Sequence, residues 1–247
     1  MTDAPALSIK VFADGADLDA IAKLSEQPLI KGFTTNPTLM RKAGVADYRT
    51  FAHAVLGIVP DKPVSFEVFA DDFEGMRDQA LEIARWGPNV NVKIPVMNTK
   101  GASSEALIRE LSRRRVVLNV TAVFTLEQVK AVAAALDPAV PAIVSVFAGR
   151  IADTGRDPVP IIRACKAALR ERPKAELLWA SPRELLNVFH AQEAGADIIT
   201  MTPDMLAKLK SVNKDLVEFS RETVEMFYRD AQAAAYTIVL PQRTAAA

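Results

Sequence analysis

Two periods alternate along the chain. Short runs rich in β-branched and apolar residues are each followed by an amphipathic or alanine-rich stretch with helical spacing. Strands are predicted at 8–13, 29–34, 64–69, 90–96, 116–123, 142–147, 176–180 and 197–201. Helices are predicted near 17–26, 47–58, 73–86, 103–114, 125–136, 158–171, 183–194 and 203–210. Successive strands begin 21 to 35 residues apart, which leaves room for the crossover of about a dozen residues that parallel strands require. Eight such units in 247 residues predict an α/β fold, a closed (β/α)₈ barrel of the TIM type, as a single domain over 1–247. A doubly wound open sheet is the alternative, because periodicity alone does not show closure.

Cap signals support several of these helix starts. Thr125 with Gln128 has capping-box spacing, Ser103 or Ser104 precedes the next apolar helix face, and Ser181-Pro182 places a proline at a first helical position. An additional C-terminal helix is predicted over about 213–235, with Val217, Val224, Phe227, Tyr228 and Ala231 on one side. That side is expected either to cover the barrel or to pack on another subunit.

Composition narrows the function classes. Half the residues are apolar and 24% are charged, as in globular chains. Thirty basic residues balance thirty acidic ones, so the basic surplus of a duplex-binding protein is missing and no nucleic-acid partner is expected. The apolar stretch 131–149 is broken by Asp137, Pro138 and Pro141, which argues against a membrane span. With no basic-then-apolar leader at the start, a cytoplasmic protein is expected. Cys165 is the sole cysteine, so neither an internal disulfide nor a multi-thiolate metal site is available. His53 and His190 lie in predicted helices at neither HxxxH nor HExxH spacing; an all-carboxylate Mg²⁺ site stays open. Neither a GxGxxG fingerprint nor a P-loop is present.

A (β/α)₈ enzyme builds its site at the carboxyl ends of its strands. Those ends carry Asp14, with Asp17 beyond it; Thr34, Thr35 and Asn36; Glu67; Lys93; Asn119 and Thr121; Ser145, Phe147 and Arg150; then Ser181 and Arg183. Lys93 stands between Val92 and Ile94, so strand alternation puts it on the opposite face from them, towards the barrel interior. An ammonium there is costly unless paired, and burial lowers the pKa of an amine. A neutral amine attacks carbonyls, as Schiff-base lysines do. A structural ion pair with Glu67 or Asp14 explains the same residue equally well. Asp14 and Glu67 suit general acid/base work, or respectively a helix cap and an ion pair. Arg150, Ser181 and Arg183 form an anion candidate, with Ser181 at a predicted helix start; surface pairing of the arginines with Asp153 and Glu184 is the alternative.

The motifs FADGAD (12–17), KGFTTNPTL (31–39), NVKIPV (91–96), LNVTAVFTLEQ (118–128) and VSVFAGRIADTG (144–155) together resemble the transaldolase family, including the related fructose-6-phosphate aldolases. The resemblance runs from about residue 10 to 209. It implies a Schiff-base lysine at Lys93 and a proton acceptor for the C4 hydroxyl at Asp14. It also implies a catalytic water held by Glu67 and Thr121. Asn36, Asn119 and Ser145 would bind and orient the dihydroxyacetone portion and Arg150, Ser181 and Arg183 the sugar phosphate, with Thr35 and Phe147 also among the substrate-binding residues. No cofactor or metal is implied, small phosphorylated sugars are the expected partners, and family members are commonly homo-oligomers. The aldolases carry glutamine and tyrosine where this chain has Glu67 and Phe147, so a transaldolase is expected. The segment from Leu178 to Arg183 departs from many members in length and composition, with Trp179 and Pro182 in it, which leaves a sulfonated or unphosphorylated sugar as an alternative ligand.

Overall fold

A computed structural model describes residues 7–240. Eight parallel strands close into a barrel in sequence order: β1 (Lys10–Asp14), β2 (Ile30–Thr34), β3 (Val64–Glu67), β4 (Val90–Pro95), β5 (Leu118–Val123), β6 (Ala142–Val146), β7 (Ala175–Trp179) and β8 (Ile198–Met201). The helices are α1 (Leu18–Ser25), α2 (Pro37–Lys42), α3 (Tyr48–Ile58), α4 (Phe73–Ile83), α5 (Glu105–Arg113), α6 (Leu126–Ala135), α7 (Ala148–Ala152), α8 (Pro158–Ala168), α9 (Leu186–Glu193), α10 (Pro203–Ala207) and α11 (Leu216–Ala233). No helix of the described residues is long and apolar enough to cross a membrane.

All eight expected strands are present, and β8 pairs with β1 to close the sheet, so the open-sheet alternative falls. Two short helices, α2 and α7, were not expected. Each is about one and a half turns long, too short to show a periodicity, and each sits in a strand-to-helix connection at the carboxyl end of the barrel. Local chemistry starts the first of them: Asn36 accepts from the Leu39 N–H at 3.0 Å while Pro37 occupies the first helical position. Thr125 and Gln128 make the expected reciprocal capping box on α6. At α5 the side-chain bond comes from Ser103, which accepts from the Glu105 N–H at 3.2 Å, while Ser104 at the cap position makes none.

The helix expected to begin at Ser181-Pro182 begins instead at Leu186. Ser181 adopts φ 58°, in the left-handed region that no helix start uses. Asn187 Oδ1 accepts from the N–H groups of Arg183 (2.8 Å) and Glu184 (3.3 Å), which draws the intervening residues into a turn.

Register shows how inward positions meet across strands. Glu67 faces Lys93, Lys93 faces Asn119, Asn119 faces Ile143, and Ile143 faces Glu176. Odd-even alternation sends their neighbours Phe66, Val92, Leu118, Val144 and Leu177 outward, where all are fully buried beneath the helical layer. The interior is therefore stacked in levels. Lys10 and Glu176 pair at 2.6 Å near the amino-terminal end. Phe12, Ile143, Leu178, Ala180 and Ile198 form an apolar plug in the middle. Polar groups crowd the carboxyl end. The plug depends on Gly32, which sits opposite Phe12 in register: a Cβ there would meet the Phe12 ring at 2.5 Å.

Among the described residues, 210–240 form a compact unit of their own, which includes α11. Asp215 caps α11 by accepting from the Glu218 N–H at 2.9 Å, and Val217, Val224, Phe227 and Tyr228 are exposed.

Gly32→Ala is expected to lower stability by about 1–3 kcal/mol through overpacking against Phe12. At this chain length each kcal/mol moves Tm by about 2–4 °C. Phe12→Leu in the same chain should restore part of that loss, because the obstructing atoms belong to a side chain. Thermal melts of the single and double variants test this; an additive double variant would mean the strain lies in the backbone.

Candidate active site

A cavity of about 430 Å³ opens at the carboxyl ends of the strands. Its floor is the top of the apolar plug, through Leu178 and Ala180, and its walls carry Asp14, Glu67, Lys93, Asn119, Thr121 and Ser145. Lys93 projects inward from β4 and is only 7% exposed. Its Nζ donates to the Thr35 carbonyl at 2.8 Å and lies 3.0 Å from Glu67 Oε2. A buried ammonium would be prohibitive without such partners. The two explanations of Lys93 are therefore joined in one geometry: the ion pair exists, and its carboxylate is within reach to take a proton from the amine.

Thr35 supports the lysine from behind. Its N–H and its hydroxyl both donate to the Ser65 carbonyl, at 3.3 and 3.1 Å, which aims its own carbonyl at Lys93. Its side chain does not line the cavity. Thr35 was expected at the substrate; in the structure its hydroxyl proton is given to β3 and its carbonyl to Lys93.

Asp14 ends β1 at the cavity wall. Oδ1 accepts from the Thr34 hydroxyl at 2.9 Å and Oδ2 from the Asn36 amide at 3.4 Å. The expected helix-capping role of Asp14 is not what the structure has; Asp17 caps α1, accepting from the Ala20 N–H at 2.7 Å. Burial pushes the Asp14 carboxyl above the ordinary carboxylate range, against the opposing pull of Lys93 and the bonds from Thr34 and Asn36. The result is a carboxylate of raised basicity, suited to accepting a proton from a hydroxyl.

Asn119 is fixed by a buried chain of bonds. Ser145 Oγ donates to Asn119 Oδ1 at 2.7 Å, and Asn119 Nδ2 donates to Ser65 Oγ at 3.1 Å. Thr121 is buried beside them and also faces the cavity. The next residue, Ala122, has φ 57° where the β5–β6 register breaks, so the strand bulges beside the site.

The anion candidate divides. Arg150, on α7, lines the cavity with its guanidinium carbon 5.6 Å from the centre of the Phe147 ring, and it forms no ion pair with any described residue. Phe147 and Ser181 line the cavity too. Arg183 does not: its guanidinium is held by Asp153 in a two-point pair, Nε to Oδ1 at 2.9 Å and Nη2 to Oδ2 at 2.5 Å. The alternative reading of Arg183 is the one seen. Gly149 brings α7 against the Ser181 backbone so closely that a Cβ would lie 1.5 Å from the Ser181 carbonyl oxygen. Trp179 points outward from β7 and is fully buried away from the cavity, and neither it nor Pro182 lines the site.

Among the residues missed from the sequence are Ser65 and Thr200. Ser65 holds Asn119, and the Thr200 hydroxyl is 2.5 Å from that of Thr34, which in turn serves Asp14. Both carried the same signal as Lys93: Ser65 lies two before Glu67 on one strand, and Thr200 is a lone hydroxyl in an apolar one. Among the described residues no group of three or more His, Cys, Asp or Glu is placed to hold a metal ion. Cys165 is buried, with its thiol pushed up to about 11 by desolvation, and plays no part in the cavity.

The family model described as transaldolase/fructose-6-phosphate aldolase matches residues 11–238. A probable transaldolase of Dehalococcoides mccartyi is 35% identical over 202 residues, covering 81% of this chain and 90% of that one. One from Nitrosopumilus maritimus is 36% identical over 203 residues, covering 81% and 87%. Another, from Carboxydothermus hydrogenoformans, is 34% identical over 226 residues and covers 91% and 99%. Among solved structures, 2,3-dimethylmalate lyase superposes with a TM-score of 0.55 at 17% identity, covering 91% of this chain and 84% of that one. Dihydrodipicolinate synthase from Rhodopseudomonas palustris gives 0.52 at 16%, covering 85% and 77%. At such identities these two share the fold alone.

The raised pKa of Asp14 has a consequence for stability. The folded protein binds that proton more tightly than the unfolded chain, so the ionised carboxylate destabilises the fold above its folded pKa. The cost fades as pH falls towards the ordinary value of 3.8. Asp14→Asn is therefore expected to raise Tm at pH 7, with the advantage shrinking by pH 4, while turnover falls roughly 10²–10⁴-fold. Melting curves of both proteins at the two pH values check the sign. A variant less stable than the parent at pH 7 would mean that attraction to Lys93 outweighs burial.

Proposed function

The chain belongs to the transaldolase/fructose-6-phosphate aldolase family and is an enzyme of that type; on that premise we propose that it transfers a dihydroxyacetone unit from a ketose phosphate to an aldose phosphate through a Schiff base on Lys93. The observation that carries this reading is the inward, buried Lys93 amine with Glu67 at 3.0 Å. Reaction begins when Glu67 takes a proton from Lys93 and the neutral amine attacks C2 of the donor. A water held by Glu67 and Thr121 carries that proton to the carbinolamine hydroxyl, which leaves as water and gives the iminium.

The iminium draws electrons from the C3–C4 bond. Asp14 removes the C4 hydroxyl proton, the bond breaks, and the aldose departs. A three-carbon enamine remains on Lys93, its oxygens oriented by Asn36, Asn119 and Ser145. The enamine carbon then attacks an acceptor aldehyde, Asp14 returns its proton to the new hydroxyl, and water releases the product ketose. Arg150, unpaired at the cavity mouth, is our choice for the sugar phosphate, with Ser181 beside it. We assign Arg183 only an indirect part, because Asp153 already holds it.

Phe147 favours transfer over release. A phenyl ring offers no donor to orient water for protonating the enamine, whereas a phenol would. The reading places the enzyme in the pentose phosphate pathway of the cytoplasm, without a cofactor, as a homo-oligomer.

Borohydride reduction in the presence of fructose 6-phosphate should leave an adduct on Lys93, located by mass spectrometry. With erythrose 4-phosphate added, sedoheptulose 7-phosphate should form much faster than free dihydroxyacetone. An adduct on Lys10, Lys31 or Lys100 would overturn the assignment, and rapid release of dihydroxyacetone with no transfer product would make the enzyme an aldolase. Arg150→Ala should weaken phosphorylated donors by about ten-fold or more, since a bond to a charged group is worth roughly 1.5–3 kcal/mol. Unphosphorylated donors and Arg183→Ala should show much smaller changes; equal losses for phosphorylated and unphosphorylated sugars would place the anion elsewhere.

A further inference from the structure

The carboxyl end of β3 has a gap in its hydrogen bonding. β2 pairs with β3 only through Phe33–Val64 and Thr34–Ser65, and the last ladder bond runs from the Thr35 N–H to the Ser65 carbonyl. In a continued parallel ladder the next two bonds would join the Glu67 N–H to the Thr35 carbonyl, and residue 37 N–H to the Glu67 carbonyl. Neither forms. The Thr35 carbonyl accepts from Lys93 while the Glu67 N–H turns to Tyr48, and residue 37 is a proline without an N–H.

Tyr48, at the start of α3, fills both places with one hydroxyl. Its oxygen accepts from the Glu67 N–H at 2.7 Å, and its O–H donates to the Glu67 carbonyl at 3.0 Å. Its ring is wedged among Phe66, Phe69 and Trp86, with centroids 6.2, 4.5 and 5.4 Å away. Burial holds the phenol well above its ordinary pKa, so it keeps the proton that the second bond needs.

From this geometry we propose that Tyr48 is a positioning residue for the reaction: it completes the β3 ladder in place of β2 and thereby fixes Glu67 against Lys93. The inference rests on the Schiff-base reading of Lys93. It explains why the barrel can divert a backbone carbonyl from its sheet to the lysine without loosening the neighbouring carboxylate. Tyr48 does not line the cavity and its hydroxyl bonds only the Glu67 backbone, so its effect is exerted through Glu67.

The test is a single-turnover measurement of imine formation, quenched with borohydride and read by mass spectrometry. Tyr48→Phe keeps the ring and removes both bonds. Imine formation and kcat are expected to fall about ten-fold or more, since small misplacement of a catalytic group is costly, with donor KM changed less than two-fold. Trp86→Phe, in the same aromatic cluster, should lower Tm while leaving the imine rate within two-fold. In a Glu67→Ala background the Tyr48→Phe effect should vanish, because the residue acts through that carboxylate.

An unchanged imine rate in Tyr48→Phe, or a loss that adds in full to that of Glu67→Ala, overturns the proposal while leaving Lys93 in place. Absence of any adduct in the unmodified protein overturns the Schiff-base reaction itself and the positioning role with it. Where Tyr48→Phe does not fold, 3,5-difluorotyrosine at this position keeps the hydroxyl but ionises at lower pH. A new alkaline loss of imine formation then supports the proposal, and an unaltered pH profile overturns it.

Discussion

The ammonium of Lys93 has to be kept inside a barrel, and most of the polar architecture follows from that constraint. Solvent is largely excluded at its position, so its positive charge must be met by protein groups. Glu67 supplies the counter-charge and Thr35 a carbonyl dipole. Each partner then needs its own support. Ser65 holds Thr35 through two bonds and also receives the amide of Asn119, so one serine ties the lysine's acceptor to the opposite wall.

The apolar plug beneath this layer sets its height. Phe12, Ile143, Leu178, Ala180 and Ile198 fill the middle of the barrel and leave the polar groups above them facing one cavity. Filling the middle is what raises the electrostatic stakes above it, because charges resting on a dry floor interact more strongly than charges in water. Asp14 feels the same surroundings with the opposite outcome. Its burial is incompletely offset, and the residual destabilisation shows as a raised pKa.

Much of this arrangement was legible in the sequence because a parallel barrel has simple arithmetic. Strands buried on both faces read as apolar runs, and a charged or hydroxyl residue in the buried part of one points inward, whereas Lys31 near the start of β2 is exposed. That rule finds Lys93, Asn119 and Ser145, and it reaches Ser65 and Thr200 as well. What it does not reach is geometry decided in the connections. The six-residue helix beginning at Pro37 and the five-residue helix beginning at Ala148 are too short to show a period. The turn after Ser181 depends on Asn187 binding backward, against the ordinary meaning of a Ser-Pro pair. Arg183 carried two readings from the start, and only coordinates show which carboxylate it meets.

The contact between Gly149 and the Ser181 carbonyl has an evolutionary reading. Residues 150 and 183 can each change one at a time, because their side chains end in open cavity or at the surface, while Ser181, at φ 58°, accepts only side chains that tolerate the left-handed region. Position 149 has no such freedom: any Cβ would collide with main-chain atoms, which move only if the whole turn moves. Divergence towards a different anion is thus channelled into the side chains around a fixed pair of backbones. Related enzymes that changed ligand by that route would keep glycine here while their neighbouring residues drifted, and a lineage without it would have had to rebuild the turn first.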